Sequence, residues 1–265
     1  MAGFFGLFNY EKEGPGIEKD APPKKTFIVF LGMFKINFWK FIPVSLIYVL
    51  LNIPVITGGL ADAGITNVMR NTARDKHSFG MSDFFETIKK NWKQSLIAGI
   101  INTLITVISL FAARFYQMNY NESANQGGSG NLIWLAGFGV IMSLLLVFNF
   151  AKYYLWTMII TFNLKLKDIY KNSFKLAVAN LWRNFLVGIL LLLTYVIYAA
   201  IVYFFTYPVV WVLVGFLAVC TLPAYRYLMI QFVAFPAIKK YMIDPYYEEH
   251  PDDDIEQRRK LGLID

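Results

Sequence analysis

Cysteine, histidine and charge are all scarce in this chain. One cysteine, Cys220, and two histidines, His77 and His250, occur among 265 residues. A lone thiol cannot close an internal disulfide, and Cys220 lies in an apolar run where a cysteine packs as a small hydrophobe. Both histidines fall in charged segments expected to be exposed, and neither makes a ligand spacing with another His or Cys, so no metal site is expected. A GxxxxGK[ST] phosphate loop, a GxSxG elbow and an HExxH pair are missing too, which removes the usual grounds for expecting an enzyme or a cofactor. Charged residues make up only 16% of the chain, against about 25% in a soluble domain. No charged, apolar and cleavable series of regions opens it, so the N-terminus is expected to remain.

Hydrophobic residues fill the space left by charge, at 57% of the sequence, and they fall in several runs of about 20. The expected fold class is all-α: a polytopic transmembrane helical bundle whose first partner is the lipid bilayer. The net charge of +7 does not point to nucleic acid, because the basic residues are interleaved with the apolar runs and do not gather on a soluble domain. Topology accounts for them better.

The chain divides into a polar N-terminal tail at 1–26, a transmembrane helical domain at 27–238 and a C-terminal tail at 239–265. Gly14-Pro15-Gly16 and Pro22-Pro23 make the first tail irregular, while Phe4, Phe5, Leu7 and Phe8 suit either the membrane interface or the underside of the bundle. An apolar helix from Phe27 leads through Trp39-Lys40 to Ile56, with a kink expected at Pro43. Residues 70–93 set Arg70, Arg74, Lys76, Lys89, Lys90 and Lys93 against Phe79, Phe84, Phe85 and Ile88, the pattern of a helix lying on the membrane surface, with Ser82 as its cap. Apolar spans follow at 92–116, 131–163, 181–206 and 208–238. The connections are a polar loop at 117–130, an amphipathic basic segment at 165–180 and a short link at Tyr207-Pro208.

An internal repeat speaks to topology. FKINFWKFI, IKKNWKQSLI and VANLWRNFLV share an amphipathic lead, a tryptophan, a basic residue and an apolar span, and the last two align at an offset that pairs Trp92 with Trp182 and Lys93 with Arg183. Tryptophan favours the headgroup layer and Lys or Arg the cytoplasmic side, so each copy marks a helix leaving the cytoplasm. Three outward passes need three returns, and the first can only be Gly59 to Arg74. At ~1.5 Å per residue that segment reaches about 24 Å, short of a hydrocarbon core of roughly 30 Å. The expectation is therefore about six passes in three hairpins, with a short broken first return helix, cytoplasmic amphipathic helices and both termini cytoplasmic. A five-span arrangement with the N-terminus outside would put Lys12, Lys19, Lys24 and Lys25 on the wrong side.

The stretch NIPVITGGLADAGITNVMRNTAR, residues 52–74, breaks the apolar pattern in mid-membrane. Pro54 cannot donate a backbone hydrogen bond, Gly58-Gly59 frees the chain to reverse, and Ala61, Ala63, Gly64 and Thr66 permit close helix approach. Asp62 lies among them, and by helical rise it stands at nearly the level of Arg226, so the two could pair. One reading has these charges neutralise each other and fix the hairpin. A second makes a ligand site of Asn52, Thr57, Gly58, Gly59, Asp62 and Arg226, drawing an anionic or sugar-like group as broken helices do in transporters. A third makes Asn52 a proton or ion relay. Arg114, near an outer end, and Lys152, beside Tyr153 and Tyr154, are expected to snorkel to the interfaces. Tyr195, Tyr198, Tyr203 and Tyr207 suit interface anchors or a carbohydrate-stacking groove.

FGLFNYEKEGPGIEKDAPPKK at the start, FWK around Trp39, NIPVITGGLADAG and FFETIKKNWKQSLI together resemble the YesL family of bacterial membrane proteins, whose domain has no known function. The resemblance covers nearly the whole chain. The family's mid-membrane stretch takes the form P-x-x-T-x-G-P-A, whereas here Gly59-Leu60 stands in place of Gly-Pro. It implies an inner-membrane protein encoded beside carbohydrate ABC importers and polysaccharide-degrading enzymes, and it transfers no catalytic residue. The leading expectation is thus a non-enzymatic accessory or regulatory component of carbohydrate ABC-type uptake, in contact with transporter subunits in the cell membrane. The alternative is a small-molecule channel or secondary transporter using the broken helix, and a third is a structural or lipid-binding membrane protein.

Overall fold

The structure is a computed structural model that describes residues 26–76, 78–125, 131–205 and 207–249. The readings made above for the N-terminal aromatic run, His77, the QGGSG stretch and His250 fall outside them. The described residues are almost entirely helical and include no strand. In order they form α1 (Thr26–Ile36), α2 (Phe38–Asn52), α3 (Gly58–Ala73), α4 (Met81–Asn125), α5 (Asn131–Thr161), α6 (Leu166–Ala179), α7 (Leu181–Phe204), α8 (Pro208–Ile238) and α9 (Asp244–Glu249). A π-helical turn, Lys239–Ile243, carries α8 into α9, so the helix runs on past residue 238.

Four helical stretches are long and apolar enough to cross a bilayer, or five if α1 and α2, bent by 82° from one another, count as one span. Within the apolar windows of the four, only 6 to 22% of residues are buried inside the protein, so most of that surface needs a hydrocarbon solvent. Such helices mark a multi-pass membrane protein. Length and composition do not yield the expected six passes, because α3 has only 16 residues and carries Asp62, Thr66, Asn67 and Arg70.

Around α3 the bundle is built. It packs against α2, α4, α5 and α8, and ten of its residues, Gly58 to Thr72, are buried. Its small side chains allow this. At the crossing with α4, a methyl group added to Gly99 would lie 2.7 Å from the Cα of Gly59, which leaves room for hydrogen at both positions and nothing larger. By contrast α7 packs chiefly on α8 and leaves much of its apolar surface outward.

Several local expectations are revised. The bend before α2 comes at Asn37, whose side-chain amide donates to the Met33 carbonyl at 3.0 Å, while Pro43 sits inside α2. Phe30 holds α1 across the bend by edge-to-face contacts with Tyr225 and Phe232 of α8. The charged stretch up to Lys93 is not a separate surface helix: from Met81 it is the opening of α4, which continues unbroken to Asn125 and takes in much of the expected polar loop. At ~1.5 Å per residue α4 is about 68 Å long and must project beyond a bilayer of about 40–45 Å. Its start is closed not by Ser82 but by Asp83, whose carboxylate accepts from the Phe79 N–H at 3.1 Å. The equivalent stretch in the other repeat copy does break, at Asn180 between α6 and α7.

Candidate functional site

Asn52 closes α2, where its side-chain amide donates to the Tyr48 carbonyl at 2.8 Å. A turn and one 3₁₀ winding, Val55–Thr57, then lead into α3. The Thr57 hydroxyl reaches back to the Leu51 carbonyl, so Thr57 serves the turn and is not in the wall of either polar cavity beside it. Ile53, Val55 and Ile56 are 72%, 60% and 62% exposed, so the turn is not wrapped in the protein's own side chains. Such a bend tolerates an apolar surrounding because its backbone is largely self-satisfied: Ile53 N–H bonds the Leu50 carbonyl, Thr57 N–H bonds the Pro54 carbonyl, and proline has no N–H to leave open.

Beneath the turn lies a cavity of about 190 Å³ between α2, α3, α5 and α8, into which Asp62, Lys152 and Arg226 all face. The Tyr227 hydroxyl donates a short hydrogen bond to Asp62, and the Tyr48 hydroxyl donates to the same carboxylate oxygen at 3.1 Å. Thus the carboxylate is held by two phenols. Asp62 and Arg226 do share one site, as their helical levels suggested, but no direct ion pair joins them among the described residues. Arg226 makes a cation-π contact with the Tyr227 ring, 5.6 Å to the centroid, and no hydrogen bond to any described residue. Lys152 similarly rests near the Phe148 ring and makes no hydrogen bond to a described group. It lines this cavity and did not snorkel out to an interface.

A second cavity, of about 250 Å³, adjoins the first and shares Asn52, Asp62 and Lys152 with it. Gly58 and Gly59 form part of its wall, so the break brings backbone close to the polar space. Asn102 lines its far side; its carbonyl accepts from the Tyr170 hydroxyl at 2.8 Å, while its amide nitrogen is buried with no partner among the described residues. Burial pushes the Tyr170 phenol on α6 above its ordinary pKa and keeps it a donor there. Gln231 and Thr157 clamp α8 to α5 at the floor of the first cavity, 2.9 Å apart.

Residues 41–112 match a family model, DUF624, described as a protein of unknown function. No curated protein and no solved structure matches the chain. The DUF624 match covers less than half of the chain, running from α2 through α3 into α4. It therefore takes in Asn52, Thr57, Gly58, Gly59 and Asp62, and leaves Lys152 and Arg226 outside.

Of the residues named from sequence, Asn52, Asp62 and Arg226 line the first cavity and Asn52, Gly58, Gly59 and Asp62 the second, whereas the sequence pattern assigns Lys152 to an interface and singles out neither Tyr48 nor Tyr227. Lysine in an apolar helix was a usable signal for Lys152. No pattern marked out two tyrosines among 16. Among the described residues no group of three or more His, Cys, Asp or Glu could hold a metal ion.

Proposed function

We propose that this protein is a non-enzymatic, six-pass protein of the cytoplasmic membrane whose central cavity binds a small anionic or sugar-like solute, as a channel or secondary transporter does. One observation carries the reading. Two cations and a single carboxylate face the same intramembrane cavity, and the Arg226 guanidinium, with five N–H donors to satisfy, has no hydrogen-bond partner among the described residues. A charge left uncompensated in a membrane interior costs several kcal/mol and usually acquires a purpose.

The six-pass reading draws support from how the basic residues are arranged. Lys40 at the start of α2 lies beside Gly80 just before α4, Arg70 donates to Thr161 at the end of α5, and Arg74 stacks on Phe235 near the end of α8. One end of the bundle is therefore rich in lysine and arginine, and that end is the cytoplasmic one by the positive-inside rule. On this reading α2 leaves the cytoplasm and α3 returns to it.

A second reading, an accessory role in carbohydrate ABC-type uptake, follows from the YesL resemblance. The charged opening of α4, continuous with a span and long enough to leave the bilayer, offers a surface for a partner. Purification in mild detergent followed by liposome reconstitution separates the two. Flux of a phosphorylated or acidic sugar by the protein alone, abolished in Arg226→Gln, supports the cavity reading. Importer subunits that copurify, with no flux and no binding by the isolated protein, support the accessory role instead.

A further inference from the structure

The polar cavity has a side door. An apolar groove of about 290 Å³ runs along α2, α7 and α8, walled by Val49, Val219, Leu222 and Pro223, and Tyr48, Arg226 and Tyr227 belong to both the groove and the cavity. Arg226 thus stands at the junction of a hydrocarbon-facing slot and a charged chamber. Pro223 sits one turn before it in α8 and frees the backbone carbonyl below from its usual helical bond.

We infer that the ligand is an anionic amphiphile drawn sideways from the bilayer: a phosphate-bearing head seated on Arg226 and Lys152, with a single hydrocarbon tail lying in the α2–α8 groove. This rests on the cavity reading above and names the class of molecule the site takes. Charge, shape and size each favour it. The cavity residues carry two positive groups against one carboxylate, so an anionic head restores neutrality where water is scarce. Beyond its mouth at Tyr48, Arg226 and Tyr227 the groove is walled by aliphatic side chains and Tyr195, a mostly apolar surface that suits a hydrocarbon tail, and it opens onto the guanidinium. At about 190 Å³ the chamber is little larger than an apolar cavity of ~150 Å³ that takes one benzene, which suits a single headgroup and not an oligosaccharide. Asn52 and Tyr153 line the same space and can hydrogen-bond the head's outer oxygens, while the Tyr48 hydroxyl stays on Asp62.

The test uses the full-length protein in phosphatidylcholine nanodiscs and two probes. Dodecyl phosphate carrying a mid-chain diazirine reports where the tail lies, and radiolabelled inorganic phosphate reports the head site alone. Photolabelling is expected on Val49, Val219 or Leu222, to fall about tenfold or more in Arg226→Gln and in Leu222→Trp, and to return in large part in Arg226→Lys. Recovery in the lysine variant separates loss of charge from loss of fold. Labelling scattered away from the groove, or indifferent to Leu222→Trp, overturns the inference; if inorganic phosphate then still binds in an Arg226-dependent way, the cavity reading survives without its tail. Failure of both probes to depend on Arg226 overturns the two together.

Discussion

Asp62 shows how a charge inside an apolar bundle finds company. Its partners are the hydroxyls of Tyr227 and Tyr48 on two other helices, so the carboxylate ties α3 to α2 and α8 at one point. Hydrogen bonds to charged groups contribute about 1.5–3 kcal/mol, and Tyr227→Phe is expected to lower stability by that amount, read from unfolding in mixed micelles. Tyr48→Phe should lower it too, with the bond from Tyr227 left in place. A charge exchange, Asp62→Arg with Arg226→Asp, is expected not to restore stability, since each charge would lose its own neighbours and the two make no direct pair to re-form; additive losses in the double variant check this. The sequence made the two charges legible because Asp and Arg are conspicuous in apolar helices. It could not reveal their neighbours, since which face of a helix a tyrosine presents depends on the helices packed against it.

The crossing of α3 and α4 is the element whose loss should disturb the site most. Gly99→Ala places a methyl group 2.7 Å from the Gly59 Cα, a backbone atom that cannot swing aside, and overpacking of this kind costs about 1–3 kcal/mol. Gly139→Ala on α5 meets nothing within 4 Å and is the matched control, expected to melt like the unaltered protein. The long spans were readable from apolar runs, and α3, which spans Gly58–Ala73 against an expected Gly59 to Arg74, from the need for a returning segment. Continuity was not. Nothing between Met81 and Asn125 breaks a helix, so the amphipathic opening and the span of α4 merge. At the matching place in the repeat, α6 stops at Asn180, and the Asn184 side chain bridges the break by donating to the Ala177 carbonyl at 3.1 Å while accepting from Tyr154 at 2.7 Å. Only the tertiary partner decides which copy bends.

For the whole molecule the decisive question is which way α2 points. Its first turns lie beside the start of α4, because Gly80 meets the Lys40 side chain, so α2 and α4 begin at the same end and α3 runs back between them. A single bent α1–α2 span entering from outside would need the end of α2, not its start, beside α4. Cys220 is buried and can be replaced by alanine to give a clean background for single-cysteine reporters. Lys93→Cys and Lys40→Cys are both expected to react with a membrane-impermeant maleimide only after permeabilisation, and Asn119→Cys to react in intact cells, since α4 carries it about 39 Å from Lys93 at ~1.5 Å per residue. Val55→Cys, on the exposed apolar turn, should resist the reagent in both preparations if the 16 residues of α3 leave that turn below the outer surface. Ready labelling of Val55→Cys in intact cells would move the turn into water and open the cavity to the outside; labelling only after permeabilisation would reverse α2 and α3 and remove the six-pass reading.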